Sequence, residues 1–431
     1  MQASPAEFRR HDWLWLVVIT LLGLALRAYN ISFPERAYFD EIYYARAARE
    51  LLQNEPDPNS VHPPLGKHLI GLGMVVTDRL RAHGFALSEP FGWRLTCLVM
   101  GTACIPLVYW LAFRVGRGST RLASMAALLV ATDLLHIAES RIAMLDMPLS
   151  FFCLLGLCHC WRYAEEPGPL QALLAAATFG LATACKWSGL FAAVGGLVTV
   201  WVFCRYNGLE VDDEPAPSAT KPAYWLALVF ALVIPMVFLG SYFHHFQREG
   251  YSLAAVKKIR GQADRMVRFR YNEKEFTHRY KSQMYEWPLM LRPVWLLYEE
   301  KDHQVYGIVA MGSVIFWWGA LLFLIEQSRR MWNEWDPRRG VAGINYLANW
   351  GFWIVSTTGG FLYYMVVAIP LMALATSQSL DEWLETKTGR ISALFFGVAV
   401  LVSTAVYYPL VVGMAVPEQY FRALFALRSW V

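Results

Sequence analysis

Trp13-Leu14-Trp15-Leu16-Val17-Val18-Ile19-Thr20-Leu21-Leu22-Gly23-Leu24-Ala25-Leu26 contains no charged residue and follows Arg9 and Arg10. A basic flank ahead of an apolar run also describes a signal peptide. No small-residue cleavage site follows, and many further apolar runs do, so this stretch reads as a retained first membrane-spanning helix. A span needs about 20 mostly apolar residues. By that measure eleven candidates lie at roughly 13–31, 91–113, 121–138, 146–163, 170–185, 187–204, 223–242, 305–326, 342–357, 361–378 and 391–413. No internal repeat is visible. The expected fold is an all-α polytopic membrane protein, with residues 1–431 as a single transmembrane domain.

Composition agrees. The chain is 56% hydrophobic and only 17% charged, against about 25% charged in soluble domains. Its mean hydropathy is +0.33. Eighteen tryptophans and 21 tyrosines suit rings anchored at bilayer interfaces. A net charge of +4 and the lack of any nucleic-acid-binding pattern argue against a nucleic-acid partner. Cys97, Cys104, Cys153, Cys158, Cys160, Cys185 and Cys204 fall in or beside apolar runs. They read as small buried hydrophobes. No CxxC pair occurs, which disfavours a zinc site.

Basic residues in short loops set orientation. Arg9 and Arg10, then Arg114, Arg117 and Arg121, then Arg329, Arg330, Arg338 and Arg339, then Lys387 and Arg390 fall on one face if there are eleven spans. That face is then cytoplasmic, together with the N-terminus. The opposite face receives two long loops, 32–90 and 243–304, the turn 139–145 and the segment after Pro417. The second loop has no room for a separate soluble domain. In the first loop, Tyr38–Gln53 and Leu65–Leu80 read as helices lying in the interface plane. The connector Gln53–Asn59 is turn-rich, and His62-Pro63-Pro64 opens the second helix.

Reactive side chains gather on that outer face. Asp40 and Glu41 lie just outside the first span. Neighbours on a helix point about 100° apart, so each acid needs its own partner. Acids at a helix N-terminus are also favoured for the dipole alone. Asp146, just before Pro148, suits a helix cap, yet it emerges on the same face as Asp40, as does Arg141. Arg94 opens the second span and Lys186 lies between the fifth and sixth. Charges at membrane depth are costly and are usually paired or functional, although residues near span ends also snorkel. Thr277–Leu289 concentrates aromatic and polar side chains, either as an interfacial belt or as the wall of a substrate groove.

Phe39-Asp40-Glu41 followed by His62-Pro63-Pro64-Leu65-Gly66-Lys67 resembles the first outer loop of protein O-mannosyltransferases. Arg94-Leu95, Ser140-Arg141-Ile142-Ala143-Met144-Leu145-Asp146, Lys186-Trp187-Ser188-Gly189-Leu190-Phe191 and Tyr285-Glu286-Trp287-Pro288-Leu289-Met290-Leu291-Arg292-Pro293-Val294-Trp295 are similar to further segments, in family order. The resemblance implies a GT-C membrane fold, a dolichyl- or polyprenyl-phosphate sugar donor carrying mannose, and a Ser/Thr hydroxyl acceptor. It places the catalytic region at the acidic pair. It also brings His62, Lys67, His278, Tyr280, Glu286, Trp287 and Arg292 forward as further candidates. The short second loop resembles a bacterial-type member, in an inner (plasma) membrane with the site facing the periplasm or exterior. The family often has an arginine before its tenth-span aromatics. Ser356-Thr357-Thr358-Gly359-Gly360-Phe361-Leu362-Tyr363-Tyr364 has none.

A chemistry follows. A hydroxyl nucleophile must lose its proton as the new bond forms, and a positioned carboxylate can take it. Asp40 is the expected base in a direct displacement with inversion, which needs no second carboxylate nucleophile. Arg94, Lys186 and Arg141 are expected to stabilise the leaving phosphate. Glu41 would orient the acceptor or hold a cation, and Asp146 would bind sugar hydroxyls or position a base. A monophosphate donor does not demand a metal, although the carboxylates could bind one. The rival readings are the same scaffold glycosylating a lipid or envelope glycan, a transporter or flippase, and a silent partner subunit.

Overall fold

The computed structural model describes residues 7–209, 220–271, 278–356, 358–425 and 428–430. Thr277 and Thr357, quoted above, lie outside them. In chain order the helices before the second outer loop are α1 (Arg10–Ala28), α2 (Glu41–Leu52), α3 (Leu65–Ala82), α4 (Glu89–Val115), α5 (Thr120–Thr132), α6 (Leu134–Glu139), α7 (Asp146–Glu165), α8 (Pro169–Cys185), α9 (Gly189–Leu209) and α10 (Lys221–Gly240). Then come α11 (Phe243–Glu249), α12 (Leu253–Tyr271), β1 (Val294–Lys301) and β2 (Gln304–Ala310). The chain continues with α13 (Val314–Glu334), α14 (Pro337–Gly351), α15 (Ile369–Trp383), α16 (Lys387–Tyr407), β3 (Ala415–Pro417) and α17 (Glu418–Leu424).

Six helical stretches among the described residues are long and apolar enough to cross a membrane, and shorter apolar helices fill the spaces between them. The stretch Leu362–Trp383 is 89% buried and forms the middle of the bundle, whereas Lys387–Leu410 is only 17% buried. On α16, Ile391, Leu394 and Phe395 are each at least 69% exposed, as lipid-facing side chains are.

Each of the eleven apolar windows contains a helix, with two departures. The window 121–138 is not one helix but α5 and α6, broken at Asp133. The Asp133 carboxylate accepts from the backbone N–H of His136 (2.9 Å), the backbone N–H of Ser313 (3.1 Å) and the Trp317 indole (2.9 Å). It caps the second piece and ties it to the start of α13. The window 305–326 begins as β2 and turns helical only at Val314. Hydropathy does not separate an apolar strand from an apolar helix. The described residues are therefore mostly helical with one small antiparallel sheet, ordered β1-β2-β3. The two loop helices of the sequence reading are present as α2 and α3. All seven cysteines are buried and free.

The basic residues used for orientation share one end of the bundle. Thr120 donates to Asp12, Arg121 pairs with Asp381 (3.0 Å), and Arg330 pairs with Glu382 (2.6 Å). Arg114 pairs with Glu165 at the far end of α7. Asp146 starts α7 and Arg94 lies in the first turns of α4. The acidic pair and its surroundings therefore occupy the opposite end.

Candidate active site

The first outer loop is folded around one guanidinium. Arg94 is fully buried. Its Nε donates to Glu41 Oε1 (2.8 Å) and its Nη2 to Oε2 (3.0 Å). The same group donates to the carbonyls of Ile31 (2.7 Å), Phe33, Pro34 and Arg36 (3.1 Å each). Glu41, also fully buried, accepts in addition from the Ala143 backbone N–H (2.9 Å). A two-pronged pair of this kind fixes direction as well as distance. It pins the start of α2 to α4 and to the turn before α7.

Asp40 faces elsewhere. Phe39 adopts a positive φ of 48° and Asp40 precedes the first residue of α2. Its side chain makes no cap bond, so a helix-cap role does not account for it. It is half-buried, and among the described residues its carboxylate has no hydrogen-bond or ion-pair partner. Burial pushes its pKa up to about 6, against the pull of Lys186, with Asp146 adding to the push.

Asp146 and Lys186 form the other half. The Lys186 ammonium donates to Asp146 Oδ2 at 2.7 Å and lies 4.9 Å from the centre of the Tyr364 ring, with Tyr363 at 6.0 Å. Lys186 ends α8 in extended conformation and Asp146 begins α7, so two helix termini hold the pair. Burial works against the lysine's charge, but Asp146 keeps it above its ordinary range. Both residues, with His62, Phe191, Trp353 and Tyr364, line a cavity of about 400 Å³ with mainly apolar walls. Lys186 is the only Lys or Arg lining it among the described residues.

Several expected roles move. Arg94 and Arg141 were placed on the leaving phosphate, but their N–H groups are spent on protein. Arg141 is 3% exposed and donates to the carbonyls of Arg27 (2.5 Å), Tyr29 and Asn30 (3.0 Å), which closes the C-terminal end of α1. Glu41 is consumed by Arg94, so it holds a cation rather than an acceptor. Lys67 is fully buried and ties Asp57 and the carbonyls of Asn59 and His62 to α3. Glu286 accepts from the Gln283 N–H (2.8 Å) in a local turn, and exposed Arg292 reaches the Lys281 carbonyl (3.2 Å).

The aromatic stretch does meet the acidic loop. The His278 ring lies 5.8 Å from Phe39 and 5.2 Å from Phe361, with Tyr280 at 5.7 Å. Trp287 is buried, donates to Ser282 Oγ (3.1 Å) and packs edge-on against Trp353 and Tyr364. Tyr364, the ring beneath Lys186, was not among the residues expected from the sequence. Its signal was the density of aromatics in Phe361–Tyr364, quoted there only for a missing arginine. Among the described residues, no group of three or more His, Cys, Asp or Glu is placed to hold a metal ion.

Comparison with known proteins gives the family and the fold. The profile of the dolichyl-phosphate-mannose-protein mannosyltransferase family matches residues 17–248. A profile of the C-terminal four-transmembrane region of protein-O-mannosyltransferase matches residues 255–430. The chain is 26% identical to a polyprenol-phosphate-mannose--protein mannosyltransferase of Mycolicibacterium smegmatis (strain MKD8), over 99% of this chain and 95% of that one. It is also 26% identical to the protein of the same name in Mycobacterium tuberculosis, over 98% and 92%. The fold is similar to a chain of the Saccharomyces cerevisiae protein O-mannosyltransferase Pmt1-Pmt2 complex bound to the sugar donor, with a TM-score of 0.82, 13% identity and coverage of 99% and 93%. It is also similar to ArnT from Cupriavidus metallidurans bound to undecaprenyl phosphate, with a TM-score of 0.58, 16% identity and coverage of 97% and 76%.

Proposed function

The chain belongs to the dolichyl-phosphate-mannose-protein mannosyltransferase family, and on that premise we propose that it transfers mannose from a polyprenyl-phosphate carrier to a Ser/Thr hydroxyl of a protein, on the non-cytoplasmic side of the membrane. The observation that carries this reading is the pairing of unlike acids. Asp40 is left without a partner beside the Lys186–Asp146 pair, and that pair stands at the wall of an apolar cavity able to take a lipid-linked group.

In the proposed reaction the acceptor hydroxyl oxygen attacks C1 of the sugar from the Asp40 side. Its proton passes to the Asp40 carboxylate as the new C–O bond forms. The bond from C1 to the phosphate oxygen breaks, and its electron pair stays on the polyprenyl phosphate. One displacement inverts C1. The charge that grows on the phosphate falls to Lys186, a preformed cation in a dry wall. Asp146 holds that cation in place and is near enough to bind sugar hydroxyls. His278 and Tyr280, on the Phe39 side, wall the acceptor approach. A base with a pKa near 6 is ionised at neutral pH yet more basic than an ordinary aspartate, which suits proton transfer.

Orientation follows from the two ends of the bundle. The end rich in arginine and lysine is cytoplasmic by the positive-inside rule, which leaves the Asp40 end outside, in a bacterial plasma membrane. The test is to incubate purified protein in lipid with labelled polyprenyl-phosphate mannose, a Ser/Thr peptide and a lipid acceptor, and to separate the products. Label on the peptide hydroxyl is expected. Label only on lipid would reassign the acceptor, and no transfer would overturn the reading.

A further inference from the structure

Glu139 is the last residue of α6 and stands at the head of the outer turn that runs to Asp146. It is fully buried, and among the described residues neither of its carboxyl oxygens has a hydrogen-bond partner. The neighbouring Ser140 is packed so closely against α4 that a Cβ on Gly101 would lie 2.0 Å from Ser140 Oγ. Asp146, Lys186 and Asp40 act on Glu139 electrostatically, in that order after burial itself. From the first outer loop Tyr38 and Tyr44 also feel it, and from α4 Cys97 does.

The cations nearby are committed. Lys186 is bonded to Asp146, and Arg94 and Arg141 are enclosed by Glu41 and by backbone carbonyls. Arg27 donates to His136, Ser140 and the carbonyls of Val130 and Ala131. A buried carboxylate with no donor and two acidic neighbours is costly in its charged form. Burial and the charge of Asp146 hold its pKa well above the ordinary range.

We propose that Glu139 is a positioning residue of the mannosyl-transfer site that works as a neutral carboxylic acid, so that Lys186 is shared only between Asp146 and the leaving phosphate. This rests on the function proposed above. With Glu139 neutral, Asp40, Asp146 and Lys186 sum to one negative charge. With Glu139 ionised they sum to two, in the place where a phosphodiester must bind and gain charge. Ionised Glu139 would also compete for Lys186.

The experiment compares wild type with Glu139→Gln, whose amide stands in for the protonated acid, and with Glu139→Ala. Infrared spectra of the lipid-embedded wild type are expected to show a protonated-carboxyl stretch at neutral pH that disappears on alkaline titration and is missing from Glu139→Gln. Using polyprenyl-phosphate mannose as donor, the wild-type donor KM should rise on the same alkaline limb, by about tenfold per pH unit for one ionisation. Glu139→Gln should rescue at neutral pH the turnover that Glu139→Ala loses, and should lack the alkaline rise. Absence of the wild-type infrared band at neutral pH overturns the proposal whether or not either variant folds. An unchanged alkaline limb in Glu139→Gln overturns it too. If the wild type transferred no mannose at all, the mannosyl reading would fall while the infrared band would still decide the state of Glu139.

Discussion

Glu41 and Asp40 are neighbours in the chain and are bonded in opposite ways. Glu41 is sealed with Arg94 and an amide N–H, and every polar atom in that knot is matched. Asp40, one residue earlier, is left unmatched beside a Lys–Asp pair. The same contrast separates Arg94 and Arg141, both saturated by backbone carbonyls, from Lys186, whose partners are one carboxylate and a ring face. Charge type does not separate these side chains, whereas the number of satisfied hydrogen bonds does. A buried charge with all its partners offsets most of its desolvation cost and fixes geometry. One left short of partners keeps its capacity for a ligand.

Asp40→Asn is the sharpest way to break this contrast. Turnover should fall by about 10³-fold or more, with thermal unfolding in detergent unchanged or raised, because a desolvated charge is removed. Near-normal turnover would show that the unmatched acid is not the base. In wild type, kcat/KM should fall as pH drops through about 6, the value to which burial pushes Asp40. The sign follows from the need for the ionised form: activity is present above that pH and lost below it. An acid limb near 4 would contradict the assignment.

Arg94→Ala attacks the saturated side. It leaves Glu41 charged and buried, which costs about 3–5 kcal/mol. The expected result is loss of folded protein from the membrane or a large drop in unfolding temperature. Replacing both Glu41 and Arg94 by Leu should recover part of the stability. If Arg94→Ala instead stayed stable and only weakened donor use, Arg94 would return to the phosphate.

Lys186→Gln should lower kcat/KM for the donor by about 10²-fold and leave acceptor KM within about twofold. Equal losses for donor and acceptor would mean that Lys186 shapes the site without meeting the phosphate. The smallest effect is expected at Arg292, whose contact is an exposed one with the Lys281 carbonyl. Arg292→Ala should change turnover by less than about twofold, as for surface positions in general.

Much of this was legible in the sequence. The uncharged run after Arg9 and Arg10, repeated in kind along the chain, reads directly as a helical membrane bundle. The loop helices showed through the mixture of apolar and charged residues in Tyr38–Gln53 and Leu65–Leu80. The helical angle between neighbours implied a separate partner for each acid; Glu41 has one in Arg94, whereas Asp40 has none among the described residues, because the backbone turn at Phe39 aims it away from the Arg94 knot. The fate of Arg94 was not legible, because the carbonyls of Ile31, Phe33, Pro34 and Arg36 carry no mark in the sequence that they will converge. The start of the window at 305 was misread as helix because Val305–Ala310 is as apolar as a span. The break at Asp133 was hidden for the opposite reason, since one acid inside an apolar run gives no warning that Ser313 and Trp317 will reach it. Glu139 sat in plain view beside Arg141, and only the fold shows that no donor reaches it.

The small sheet sets an order of assembly. Its third strand, β3, pairs with β2 through Val416 opposite Val305. Farther on, the Trp430 indole donates to the Met290 carbonyl (3.0 Å), while Trp295 donates to the Trp430 carbonyl (2.8 Å). Synthesis runs from the N-terminus, so β1 and β2 leave the ribosome long before their partner. The sheet at this end of the bundle can be completed only after α16 has been made. An assembly intermediate arrested between α13 and α16 would therefore expose an open strand edge on β2.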